Sequence, residues 1–132
     1  MADHTGACGC GEIQYRVDMP IKRVSNCHCN MCRQMNGSAF SSYAIVRDTK
    51  FELQGEPAVF GLTENVKKHF CKKCGTPLFN SNKLHPGALM VYLGSLKDSQ
   101  QFEPSFNIYC ESKLPWVLHL NDYPSYERGL KD

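Results

Sequence analysis

The sequence predicts an all-β fold, and three observations carry the prediction. Short runs rich in β-branched and aromatic residues recur along the chain, each bounded by Gly, Pro or Asn. Only one segment, Asn30 to Asn36, carries the end signals of a helix turn. Two cysteine pairs far apart in sequence, Cys8–Cys10 and Cys71–Cys74, have the spacing of metal knuckles that staple small β domains.

Taken in order, Glu12–Val17 alternates apolar and polar residues before Pro20 and reads as the first strand. In the helix turn over Asn30–Asn36, Asn30 is the expected N-cap and Gly37 lies beyond the end. Ala39–Val46 carries aromatic and β-branched residues and forms the second strand. Phe51–Leu53, Ala58–Leu62 and Val66–Phe70 follow as short strands. Leu78–Asn80 and Ala88–Leu93 flank the loop "NSNKLHPG", and Phe106–Cys110 is the last strand. Leu114–Gly129 contains Pro115 and Pro124 and is expected to wrap irregularly over the surface, with Trp116 as a core plug. No internal repeat or linker divides the chain, so residues 1–132 are expected to form one domain.

Composition narrows the function classes. The net charge is +2, too balanced to imply nucleic acid or a membrane surface. No run of about 18 apolar residues is present, and the first residues lack the pattern of a signal peptide. A cytoplasmic protein is therefore expected, in a compartment where thiols stay reduced. Eight cysteines among 132 residues then point to metal or catalysis rather than disulfides.

The cysteines sort by geometry. Cys8, Cys10, Cys71 and Cys74 supply the four ligands of a closed structural zinc. Cys27, Cys29 and Cys32 supply three, the number typical of a catalytic zinc that keeps an open position. The CxC sets two thiolates on one side of an extended segment, and the helix turn returns the third. A ribbon-like site of Cys29, Cys32, Cys71 and Cys74 also satisfies the count, although its gap of 38 residues exceeds the usual spacing of roughly 15 to 20.

Motifs along the chain add a resemblance. "GACGCGEIQY", "CHCNMCRQMNGSAF", "FCKKCGTPLF", "VYLGSLKD" and "SKLPWV" together resemble the glutathione-dependent formaldehyde-activating enzyme family, whose domain is shared with centromere protein V. The resemblance implies small antiparallel sheets in a β-tent, as in methionine sulfoxide reductase B, and two zinc ions on the two cysteine sets above. It implies a carbon–sulfur lyase, run in reverse, that condenses formaldehyde with the thiol of glutathione. The family's frequent His near the last strand is absent here, where Asn107–Ile108 stands, and no segment reads as a glutathione-binding motif.

Other residues complete the expectations. Arg33 follows the third thiol and is a candidate to hold a substrate carboxylate, as are Lys67 and Lys68. His28 should point away from the metal, and His69, His85 and His119 read as packing or surface residues. The run "KKHFCKK" reads as a solvated face, so nucleic acid is not an expected partner. A thiol redox enzyme using Cys110, or a non-catalytic zinc-stapled interaction module, are the competing functions. The sequence leaves the oligomeric state open.

Overall fold

Ten strands and one short α-helix organise the chain, seen in a computed structural model that describes residues 3–130. Residues 1–2 and 131–132, the ends of the domain expected over 1–132, lie outside the described residues. The strands are β1 (Asp3–Ala7), β2 (Gln14–Asp18), β3 (Val24–Cys27), β4 (Ser41–Arg47), β5 (Phe51–Gln54), β6 (Ala58–Gly61), β7 (Val66–Phe70), β8 (Pro77–Asn82), β9 (Ala88–Tyr92) and β10 (Phe106–Ile108). The helix, α1, spans Asn30–Asn36.

The fold is all-β, as expected, but one sheet is larger than foreseen. β1, β2 and β5 form a three-stranded antiparallel sheet, and the other seven strands follow the order β10-β3-β4-β9-β8-β7-β6. That second sheet is mixed, because β10 runs parallel to β3 with Phe106 opposite Ser25. Two strands were not anticipated. β1 (DHTGA) and β3 (VSNC) have weak β-propensity and owe their conformation to ladder partners.

Alternation along the strands divides the molecule. Tyr15 and Val17 of β2 turn inward while Gln14 and Arg16 turn out. They join Ala44 and Val46 of β4, Val91 of β9 and Leu78 of β8 in the main core. Each such buried aliphatic contributes about 1.5–3 kcal/mol. The alternate residues of β4, β9 and β3 (Tyr43 and Ile45, Met90, Ser25 and Cys27) face the other way and line a cleft. One face of the large sheet thus builds the core and the other builds a cavity.

The C-terminal segment differs from expectation in one respect. It forms 3-10 turns over Pro115–Asp122, and Trp116 is exposed rather than plugged into the core. No helix among the described residues is long and apolar enough to cross a membrane.

Candidate metal centres and the adjoining cleft

Two turns bring the first set of thiols together. After β1, Gly11 N–H donates to Cys8 C=O at 3.1 Å, a turn that Gly11 closes at φ 81°. After β7, Gly75 N–H donates to Cys71 C=O at 2.8 Å, with Gly75 at φ 80°. Gly9 N–H donates to Thr76 Oγ1 at 2.9 Å and joins the two turns. All four sulfurs, of Cys8, Cys10, Cys71 and Cys74, lie within 4.8 Å of one another and could hold a metal ion. Cys8 and Cys71 are buried in the main core, while Cys10 and Cys74 are exposed. Hydrogen bonding from Thr76 holds the Cys74 thiol down at about 5.

The second set sits where β3 meets α1. Cys27 ends the strand and Cys32 lies in the helix. Cys29, not Asn30, is the N-cap: its backbone is extended and its Sγ accepts from Cys32 N–H at 3.3 Å. A thiol caps well here because the same atom also faces Cys27 and Cys32. Gly37 closes the helix in the left-handed conformation, with its N–H on Arg33 C=O at 2.8 Å. The three sulfurs lie within 4.8 Å of one another and could hold a second metal ion. Cys27 and Cys32 Sγ are 3.2 Å apart. That contact holds the Cys32 thiol down at about 6 and, with burial, pushes Cys27 up. Burial also raises Cys29. The ribbon-like alternative is not formed, since Cys29 and Cys32 group with Cys27 and not with Cys71 and Cys74.

All three thiols open onto a cleft of about 530 Å³. Its walls are largely apolar, with Met31, Ile45, Met90, Phe106 and Ile108. A buried polar chain crosses its floor. Tyr43 Oη lies 3.4 Å from Cys32 Sγ and accepts from Asn80 Nδ2 at 3.3 Å. Tyr92 Oη donates to Asn80 Oδ1 at 2.9 Å, which fixes the amide so that its NH₂ meets Tyr43. The Tyr43 proton is therefore directed away from Asn80, with Cys32 Sγ within reach as an acceptor. Burial first, then the neighbouring Tyr92, pushes the Tyr43 hydroxyl far up and keeps it neutral.

A model of the glutathione-dependent formaldehyde-activating enzyme family matches residues 3–112. The chain belongs to this family. A Halomonas elongata relative, provisionally named as a glutathione-dependent formaldehyde-activating enzyme, is 24% identical over 122 residues, covering 85% of this chain and 78% of the relative. An uncharacterized lyase of Schizosaccharomyces pombe is 25% identical over 79 residues, 60% of this chain and 58% of that protein. A crystal structure of a Rhodobacter sphaeroides protein matches with a TM-score of 0.62 at 18% identity, covering 77% of this chain and 98% of the other, a likeness of fold.

Of the side chains singled out in the sequence, Arg33 and Lys68 are placed differently from the expectation, while His28, His69 and His119 lie as expected. Arg33 does not project freely into the cleft. Its guanidinium donates to His28 C=O at 2.7 Å, to Ser112 C=O at 2.5 Å and to Asn30 Oδ1. Gripping a substrate carboxylate would require breaking these bonds. Lys68 is buried, and its Nζ donates to Met35 C=O at 2.7 Å at the end of α1, so it serves the helix rather than a ligand. Lys67 is exposed. His28 is 1% exposed and turns from the thiols, with Nε2 3.1 Å from Asn107 Oδ1 and its ring beside Phe40. Asn107 also accepts from Asn26 Nδ2 at 3.2 Å. His69 stacks on Phe79 at 4.2 Å, while His119 is exposed beside Asp122. Cys110 is exposed at the start of a 3-10 turn and does not line the cleft that holds the three thiols.

Sequence reasoning missed Tyr43, Asn80 and Arg23, all of which line the cleft. One signal existed. Counting back in twos from Cys27 along an extended segment reaches Ser25 and then Arg23.

Proposed function

We propose that the chain is a zinc-dependent carbon–sulfur lyase-type enzyme that forms or cleaves the adduct of a small thiol and an aldehyde, in the manner of S-hydroxymethylglutathione synthase. One observation carries this reading: three thiols converge at the head of a cleft, and no fourth Cys, His, Asp or Glu of the described residues completes the set. The family's name supplies the thiol and the aldehyde as candidate reactants. We propose further that residues 1–132 work as one cytoplasmic domain with two zinc ions, one per cysteine set.

The donor geometry of the four-thiol set supports zinc. Tetrahedral sulfur ligands at 2.3 Å from zinc stand about 3.8 Å from one another. Cys8 and Cys10 Sγ are 3.6 Å apart, and Cys10 and Cys71 Sγ are 3.7 Å apart. Ile13 N–H donates to Cys8 Sγ at 3.2 Å, the outer-shell amide bond that stabilises a ligating thiolate. The four-thiol set is closed and structural in this reading, and the set at Cys27, Cys29 and Cys32 is catalytic.

A zinc ion on three thiolates would supply a soft positive centre that favours an added sulfur as its thiolate. The chain's own residues do the rest. The walls at Ile45, Met90 and Ile108 give the cleft an apolar lining. As the thiolate sulfur bonds to the carbonyl carbon, the carbonyl electron pair moves onto oxygen. Tyr43, its hydroxyl aimed by Asn80 and Tyr92, donates a hydrogen bond to that oxygen. The proton lost by the thiol ends on the new hydroxyl, so the adduct is neutral at that centre. Cleavage runs through the same steps in reverse.

Exchange spectroscopy of zinc-loaded protein with formaldehyde and glutathione tests the reading. Interconversion of free thiol and hydroxymethyl adduct should be faster than the uncatalysed rate, and Cys29→Ser should abolish the increase. No acceleration with glutathione or any other small thiol would overturn it.

A further inference from the structure

The cleft is asymmetric in charge. Cys27 ends β3, and Arg23 stands just before that strand, four residues back and about 13 Å away if the chain there is extended. Arg23, Ser25 and Cys27 all line the cavity, as alternation requires. The Arg23 guanidinium stands 5.5 Å from the centroid of the Phe106 ring, which restrains it at the rim. It forms no ion pair among the described residues, and no Asp or Glu lines the cleft. Arg33 and Lys68, the other cations near the thiols, are bound to acceptors of the chain itself. Arg23 is thus the only permanent cation among the residues lining the cavity. Between it and the thiols the wall is mainly apolar, with Ile45, Met90 and Phe106.

We propose that Arg23 is the specificity-determining residue of the cleft and that it holds a carboxylate of the thiol substrate. The inference rests on the thiol-binding reading above and names its substrate class: a thiol with its sulfur at Cys27, Cys29 and Cys32, a largely apolar middle, and a terminal anion at Arg23. A neutral thiol of the same length places a hydroxyl opposite the guanidinium and loses the bidentate ion pair with it.

Calorimetric titration of zinc-loaded protein with 6-mercaptohexanoate and with 6-mercaptohexanol tests this. The two probes share a sulfur and a spacer and differ in charge. The acid should bind about tenfold more tightly, equivalent to roughly 1.4 kcal/mol. Arg23→Gln should erase the preference by weakening the acid alone, Arg23→Lys should restore part of it, and His85→Gln, at a histidine that also lines the cleft, should leave it intact. Equal binding of both probes to the unsubstituted protein, or a preference that survives Arg23→Gln, overturns the role of Arg23 while leaving thiol binding in place. If neither probe binds, the thiol-binding reading fails, and the role of Arg23 fails with it.

Discussion

Replacing one ligand in each cysteine set should have very different consequences for folding. Cys71 is 1% exposed and joins the main core with Ile13, Leu78 and Cys8. Its turn and the Cys8 turn tie the small sheet to the large one across 61 to 66 residues of sequence. Apparent binding free energy for structural zinc is about 10–16 kcal/mol in small domains. Total stability of a native domain is only about 5–15 kcal/mol. Cys71→Ser should therefore leave no cooperative unfolding transition, because the lost binding energy is comparable to the whole. Cys32 belongs instead to a small satellite cluster with Cys27, Tyr43 and Tyr92. Around it β3, β4 and β9 remain held by their ladders. Cys32→Ser buries a hydroxyl among polar partners and should cost about 1–3 kcal/mol. For a chain of this size that lowers Tm by roughly 3–15 °C. Thermal melts followed by circular dichroism, with zinc counted by elemental analysis, read both effects. Cys32→Ser should melt cooperatively with one zinc per chain. Equal damage in the two variants would refute the division into structural and catalytic sites.

Other outcomes follow from the same geometry. Tyr43→Phe should lower kcat/KM for adduct formation by about 10²–10³ through loss of the aimed hydroxyl, with zinc content unchanged; undiminished activity would remove Tyr43 from the chemistry. The same variant leaves the Asn80 NH₂ without its partner, so the melting curve should fall by about 1–3 kcal/mol of stability. Zinc binding to the three-thiol set at pH 7 should release about two protons, since Cys32 is held down near 6 while Cys27 and Cys29 are raised; titration heats in buffers of different ionisation enthalpy read the number. The sign is fixed: protons compete with metal, so zinc affinity at this site falls as pH falls, and a rise on acidification would contradict the thiolate assignment. A chelator should strip zinc from the open three-thiol set before the closed four-thiol set, with the loss of secondary structure tracking only the second.

The sequence alone determined how this protein's cysteines group and much of its strand pattern. Close spacing carries Cys8 with Cys10, Cys71 with Cys74, and Cys27 with Cys29 and Cys32, because a few residues of backbone cannot separate them far. It also located α1, whose end at Gly37 requires the left-handed conformation that glycine adopts without strain. Tertiary structure decided what distant residues meet. β1 and β3 carry only one strand-favouring side chain each, Thr5 and Val24, and they extend because β2, β4 and β10 pair with them. Arg33 looked available for a substrate until Ser112, 79 residues away, supplied a carbonyl. Tyr43 and Asn80 stand 37 residues apart and meet only because β9 lies between β4 and β8 with both side chains on its cleft face. Which thiols share a cluster is partly local and survives in a short motif. Which face of a sheet becomes a cleft depends on long-range pairing, and no local pattern encodes it.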